Sequence, residues 1–309
     1  MKPLHHLCAF SLCFSAVVCQ ADEAQQWLDK MGTALREQNY QGTFTYMRGS
    51  QFETIKITHQ FNDGQELERL FNLNGEPREV IRKDSEVVCH HLKSGTPSLN
   101  HDVPLGPFSA AFNESLAINH DQYRFSLHGT DRIAGRTTVR LKITPRFDDR
   151  FGYQLWLDEE TGLLLQSQLL QRNRVLELFQ FANIEIGEPL EVALVSSLGT
   201  DTLSHRLSPE IQAAVSNNKP RWRVSWLPKG FRSVKVPNSN RLHFTDGLAG
   251  LSVFFEGKTS AMPEMTTHLG ATTVITRRLK DTEGQITVVG EVPINTARKI
   301  AESVEPVIY

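Results

Sequence analysis

The chain has 309 residues, with 33 lysines and arginines against 35 aspartates and glutamates and a formal net charge of −2. A charge so small and so mixed supplies no electrostatic footprint for nucleic acid. Hydrophobic residues at 39% and charged residues at 22% suit a soluble globular protein, long enough for two domains and above the size at which a core is hard to build.

The first element is a targeting segment. Met1-Lys2 brings one positive charge, and Leu7 to Val18 is an apolar run too short to span a bilayer. Cys19-Gln20-Ala21 then offers small residues for signal peptidase, and Asp22 is the first acid, so residues 1–21 read as a secretory signal cut after Ala21. Lipid attachment at Cys19 is the weaker reading, because Val18 stands where a small residue is wanted. Cleavage removes Cys8, Cys13 and Cys19 and leaves Cys89 alone, so no internal disulfide is available and stability rests on ordinary cores. The compartment these features point to is the bacterial periplasm.

Asp22 to Asn39 reads as a helix, with Trp27, Leu28, Met31, Ala34 and Leu35 at helical spacing. Strands follow at Thr43 to Met47, Glu53 to Phe61, Glu79 to Arg82 and Glu86 to His91, and Asn62-Asp63-Gly64 and Asn74-Gly75 mark tight turns. Residues 92–119 interrupt them with Pro97, Pro104 and Pro107, while Phe108, Ala110, Ala111, Phe112 and Leu116 suggest a short helix or an apolar flap. Strands resume at Tyr123 to His128, Thr137 to Pro145, Gly152 to Asp158, Leu163 to Gln171 and Val175 to Ile186. Short turns between them predict a mostly antiparallel meander with the helix over one face. Along it, Tyr153, Leu155 and Leu157 share one face, and Gln154, Trp156 and Asp158 the other.

A second β-rich unit starts at Arg221, with strands near Trp222 to Trp226, Arg241 to Thr245, Gly250 to Glu256, Thr272 to Leu279 and Gln285 to Glu291. A last helix, Ile294 to Val304, places Ala297, Ile300, Ala301 and Val304 on one face. The organisation read from this pattern is a signal at 1–21, a first domain at 22–190, a linker at 191–218 and a second domain at 219–309.

Catalytic and cofactor signals are weak. Cys89-His90-His91 is the one cluster with metal-ligand chemistry, but strand alternation splits it between two faces and no spacing supplies a partner pair. Gly-x-Ser-x-Gly, His-Glu-x-x-His and the phosphate- and dinucleotide-binding glycine motifs are absent. The acid runs Phe147-Asp148-Asp149-Arg150 and Asp158-Glu159-Glu160 sit at turns, where solvated side chains are expected. The reading is therefore a non-enzyme with no cofactor and no metal. Trp156, Trp222 and Trp226 read either as core or as apolar contact surface.

Several segments carry a resemblance. They are Phe151-Gly152-Tyr153 with Trp156-Leu157-Asp158-Glu159-Glu160-Thr161-Gly162, Glu177-Leu178-Phe179-Gln180-Phe181, Trp226-Leu227-Pro228-Lys229-Gly230-Phe231, Asp246-Gly247-Leu248, and Ile286 to Pro293 with the helix after it. In this order and spacing the chain resembles the MucB/RseB family of periplasmic regulators of an envelope-stress sigma factor. The resemblance implies an α+β protein. Its N-terminal domain would be a curved antiparallel sheet with covering helices, like the LolA/LolB lipoprotein carriers, followed by a smaller C-terminal α/β domain. It implies binding to the periplasmic domain of a single-span anti-sigma factor of the RseA/MucA type, protecting that factor from regulated proteolysis. Release would come from lipid, lipopolysaccharide or mislocalised lipoprotein signals, and homo-oligomerisation stays open. On this division Phe108, Phe112, Leu116 and Trp156 are the candidate lipid contacts, and Trp226, Leu227, Phe231 and Leu248 the candidate partner contacts. The alternative is a periplasmic lipid or lipoprotein carrier without a regulatory partner, which leaves residues 221–309 without a purpose; a hydrolase comes third.

Overall fold

A computed structural model describes residues 13–84, 86–92, 121–187, 198, 202–207, 222–234, 241–257, 263–279 and 284–307. It opens with helix α1 (Cys13–Glu37), which extends back through the expected signal because no glycine or proline stands between Cys13 and Ala21 to stop it. Ala24, Leu28, Met31, Ala34 and Leu35 are buried along one face of this helix, against the first sheet.

That sheet has 11 strands: β1 (Tyr40–Arg48), β2 (Gln51–Asn62), β3 (Gln65–Asn72), β4 (Arg78–Lys83), β5 (Glu86–Leu92), β6 (Tyr123–Ile133), β7 (Arg136–Pro145), β8 (Gly152–Asp158), β9 (Leu164–Gln171), β10 (Arg174–Ile186) and β11 (Thr202–Leu207). Their order is β11-β5-β4-β3-β2-β1-β10-β9-β8-β7-β6, antiparallel at each pairing. Two meanders thus run outward from a central β1–β10 pair, which joins Tyr40 to Ile186 in register. Phe44, Phe179 and Phe181 pack edge to face across this pair, with Phe44 and Phe179 ring centres 5.0 Å apart. The Asp63-Gly64 turn between β2 and β3 has positive φ at both residues (52° and 79°), the geometry that suits strand twist in a two-residue hairpin.

Within this sheet three features depart from the sequence expectations, and in the second unit β13 (Arg232–Val234), β16 (Met265–Leu269) and β19 (Val304–Pro306) are further strands that were not expected. Strand β3 carries Glu66 and Glu68 and was not expected; it is held because Arg82 pairs with both carboxylates and buried His59 bonds to Glu66 and to the Gln38 carbonyl. Strand β11 lies in the stretch expected as linker and pairs with β5 at the sheet edge. Asp158, read as a solvated turn acid, is buried; it takes a two-pronged bond from Arg136 and two more from Thr161. Burial alone would raise its pKa, but those donors hold it below the usual carboxylate range.

The second unit is a six-stranded antiparallel sheet in the order β13-β14-β15-β18-β17-β16, built from β13 (Arg232–Val234), β14 (Arg241–Thr245), β15 (Gly250–Glu256), β16 (Met265–Leu269), β17 (Thr272–Arg278) and β18 (Gln285–Gly290). Helix α2 (Ile294–Glu302) buries Thr296, Ala297, Ile300 and Ala301 against it. A short pair of β12 (Trp222–Val224) with β19 (Val304–Pro306) ties the start of the unit to its end. Leu251, Val253, Ile286, Val288, Val292 and Ile300 form a core separate from that of the first unit. No helix among the described residues is long and apolar enough to cross a membrane.

Candidate functional site: the seam between the two units

The two units meet along buried polar contacts rather than a plain apolar face. Arg150, just ahead of β8, sits at the centre with its side chain fully buried. Its Nη1 donates to Asp246 Oδ2 at 2.7 Å, its Nη2 to the Lys229 carbonyl at 2.7 Å and its Nε to Asp149 Oδ1 at 2.7 Å. The guanidinium lies between the Tyr123 and Phe231 rings, 5.5 and 5.4 Å from their centres. Burial alone would lower the Arg150 pKa; Asp149, Tyr123 and Asp246 outweigh it and leave the cation firmly charged.

Asp246 is as buried as Arg150 and belongs to the turn between β14 and β15. Its Oδ1 accepts the Leu248 and Ala249 amides at 3.0 and 2.8 Å, closing a turn in which Gly247 has φ 101°. Tyr123 donates to the other oxygen at 2.8 Å. Burial, then the Asp246 charge, keeps the Tyr123 hydroxyl protonated far into the alkaline range.

A second contact lies beside the first. Glu177 on β10 accepts the Ala271 amide of the β16–β17 turn at 2.9 Å and the Tyr46 hydroxyl at 2.5 Å. This turn comes so close that a Cβ on Gly270, whose φ is +57°, would meet Glu177 and Arg48 side-chain atoms at 2.6 Å. Glu291, following β18, is partly exposed but densely surrounded. Burial, and then the Glu177 charge, pushes its pKa up to about 7, against a smaller pull from Arg48. Thr296 at the start of α2 donates to the Asp149 carbonyl at 2.9 Å. Beside these contacts a cleft of about 670 Å³ opens, lined by Lys142, Asp148, Arg172 and Arg174 from the first unit and Pro293 and Asn295 from the second.

The expected contact residues are distributed unevenly about this seam. Leu248 is 1% exposed and packs into the core of the first unit, so in this arrangement it faces the neighbouring unit. Phe231 is partly buried on the second unit's core and stacks against Arg150, which brings it to the seam beside Leu248. Trp226 and Leu227 pack partly buried on the second unit's core, with Lys299 Nζ 3.9 Å from the Trp226 ring centre. Trp156 is 5% exposed, and its indole N–H donates to Asp131 Oδ2 at 3.1 Å. Phe108, Phe112 and Leu116 lie outside the described residues. Cys89 is buried, and among the described residues no group of three or more His, Cys, Asp or Glu is placed to hold a metal ion.

The sequence reading missed Tyr123, Arg150, Glu177, Asp246 and Glu291. The one available signal was a pair of turn segments, Asp149-Arg150 and Asp246-Gly247, each carrying one half of an ion pair 96 residues apart.

Comparison with known proteins matches both units. The MucB/RseB N-terminal domain model matches residues 23–200 and the MucB/RseB C-terminal domain model residues 216–305. The chain is 36% identical to the sigma factor AlgU regulatory protein MucB of Pseudomonas aeruginosa, over 93% of this chain and 92% of that protein. It is 26% identical to the sigma-E factor regulatory protein RseB of Escherichia coli K12, over 96% and 94%. Among solved structures, MucB in complex with MucA(peri) is 34% identical with a TM-score of 0.72, covering 93% of this chain and 100% of that one. A crystal structure of MucB gives 32% identity and a TM-score of 0.65, covering 93% and 98%.

Proposed function

The chain belongs to the MucB/RseB family, and from that premise we propose that it is a periplasmic negative regulator of an envelope-stress sigma factor. In this reading it binds the periplasmic domain of a membrane anti-sigma factor and protects it from regulated proteolysis. One observation carries the reading: the likeness to MucB bound to MucA(peri) extends through both units and covers all of that chain. The curated relatives are named as regulatory proteins and match over more than nine-tenths of their length, which supports a regulatory rather than an enzymatic role.

The architecture suits such a task. An ordered seam holds two separately cored units at a fixed relation, so a partner touching both gains a prearranged surface and avoids an ordering cost. Lipid or lipopolysaccharide would act by binding the first unit and favouring an arrangement in which the partner surface is lost. A ligand shifts such an equilibrium only by its differential affinity for the two arrangements.

A direct test is titration of residues 22–309 against the periplasmic segment of the anti-sigma factor, with and without lipid vesicles or purified lipopolysaccharide. Saturable binding that lipid weakens is the expected result. A folded protein with no affinity for the segment would sink the regulatory reading, and affinity indifferent to lipid would remove the release step.

A further inference from the structure

Most polar groups in the seam bond one another directly, and Gln122 does not. It stands just ahead of β6 and is 1% exposed, and its main-chain carbonyl accepts the Arg146 amide at 2.9 Å. Its side chain lies against the second unit. A Cβ on Gly230, whose φ is +94°, would meet Gln122 Cγ at 2.8 Å, Cδ at 3.2 Å and Nε2 at 3.6 Å. Glycine at 230 therefore lets the chain from Lys229 to Phe231 lie over the amide while the Lys229 carbonyl reaches Arg150. Among the described residues no protein group bonds to either Oε1 or Nε2 of Gln122. A buried polar group left unpaired is costly, and native proteins satisfy nearly all of theirs, with ordered water where no protein group is at hand.

We propose that the Gln122 amide is a water site, in which a water molecule enclosed between Gln122 and the main chain at Lys229 and Gly230 ties the first unit to the second. The chemistry of the guest follows from the groups that face it. Oε1 accepts and Nε2 donates, and both belong to one small planar group, so the guest must donate and accept within a short span. A simple ion does only one of these. The closeness of Gly230 leaves no depth for a side chain or a ligand of several atoms. Water meets both requirements, and two bonds to the amide with a third to a carbonyl of the second unit give it the usual complement of an internal water. The Lys229 carbonyl has a lone pair to spare, because Arg150 Nη2 uses one of its two. The seam thus carries two kinds of fastening: the direct Arg150–Asp246 pair and a bond relayed through water at Gln122. A relayed bond is nearly as good in enthalpy as a direct one, and this water leaves when the units part.

The site is tested first in residues 22–309 without substitution. Rotating-frame cross-peaks of dipolar sign between the Gln122 side-chain amide protons and water are the expected result, and their absence overturns the proposal. Gln122→Met and Gln122→Leu then remove the amide while nearly keeping its volume. Oxygen-17 relaxation dispersion of the solvent is expected to lose the contribution of a long-lived water in these variants and to keep it in Gln65→Leu, at an exposed position. Hydrogen exchange of the Ala271 amide reads closure of the seam, because this buried group bonds to Glu177 of the other unit. It is expected to exchange about fivefold faster in the Gln122 variants, the equivalent of one modest hydrogen bond. Unchanged dispersion in a folded Gln122 variant overturns the water site. An Ala271 amide protected as well as in the parent, or better, overturns the bridge. Where neither variant folds, the parent cross-peaks decide. No partner or lipid enters these measurements, so their failure leaves the regulatory reading standing.

Discussion

Asp246 accepts hydrogen bonds from Arg150, Tyr123 and the amides of Leu248 and Ala249, while Arg150 spreads its donors over Asp246, Asp149 and the Lys229 carbonyl. The two residues are therefore unequal when one is removed. In Arg150→Met the buried carboxylate still has three donors. In Asp246→Ala the guanidinium keeps Asp149 but loses its buried counter-charge, and the β14–β15 turn loses its side-chain acceptor. Removing one partner of a buried pair costs about 3–5 kcal/mol, because a charge stays in low dielectric. Asp246→Ala is expected near that figure and Arg150→Met clearly below it, with urea unfolding of the mature chain as the measurement. The part of the Asp246→Ala cost that comes from the stranded Arg150 charge cannot exceed the cost of parting the units, since opening rehydrates Arg150, whereas the loss within the β14–β15 turn remains. Equal losses in the two variants would show that the turn and the Tyr123 bond contribute little. Cys89 illustrates the opposite case, a residue legible from sequence alone: a lone thiol on an alternating strand was expected to be buried, and it is, with burial raising its pKa.

At the scale of elements, α1 is fastened to the turn after β8 from the middle of its apolar stripe. Lys30 donates to the Glu159 and Glu160 carbonyls at 3.0 and 2.9 Å, stands over the Trp27 ring, and lies where a Cβ on Gly162 would clash at 2.6 Å. The turn sequence Asp158 to Gly162 thus serves the helix as well as its own hairpin, which its glycine and acids did not disclose. The apolar insertion at 92–119 carries a separate expectation. If Phe108 and Phe112 cover an acyl-chain pocket, each buried methylene contributes about 0.8 kcal/mol to lipid binding. Phe108→Ser with Phe112→Ser is then expected to weaken the lipid response while leaving anti-sigma-factor binding in lipid-free buffer intact. Parent-like release by lipid in the double variant, or its failure to fold, would remove the flap role.

At the scale of the whole molecule, each unit has its own core, yet Leu248 and Ala271 of the second unit are counted among the buried residues of the first. Residues 219–309 are therefore expected to fold alone through their own core while exposing Leu248 and Ala271 to water. We expect the isolated piece to unfold cooperatively and to bind the anti-sigma-factor segment without responding to lipid; a folded piece with no affinity would show that both units are needed for recognition. Hydrophobic periodicity and turn chemistry by themselves determined the two β-rich units, the covering helix, most strands and the ordered segments that carry the family resemblance, because these depend on residues near one another in the chain. They did not determine that β1 and β10 meet at the centre of the first sheet, that β3 survives with two glutamates, or that Arg150 and Asp246 leave solvent for each other. Those outcomes depend on which distant groups neutralise a buried charge, and only the tertiary structure brings Arg82 to Glu66, Glu177 to the β16–β17 turn and Asp246 to Arg150.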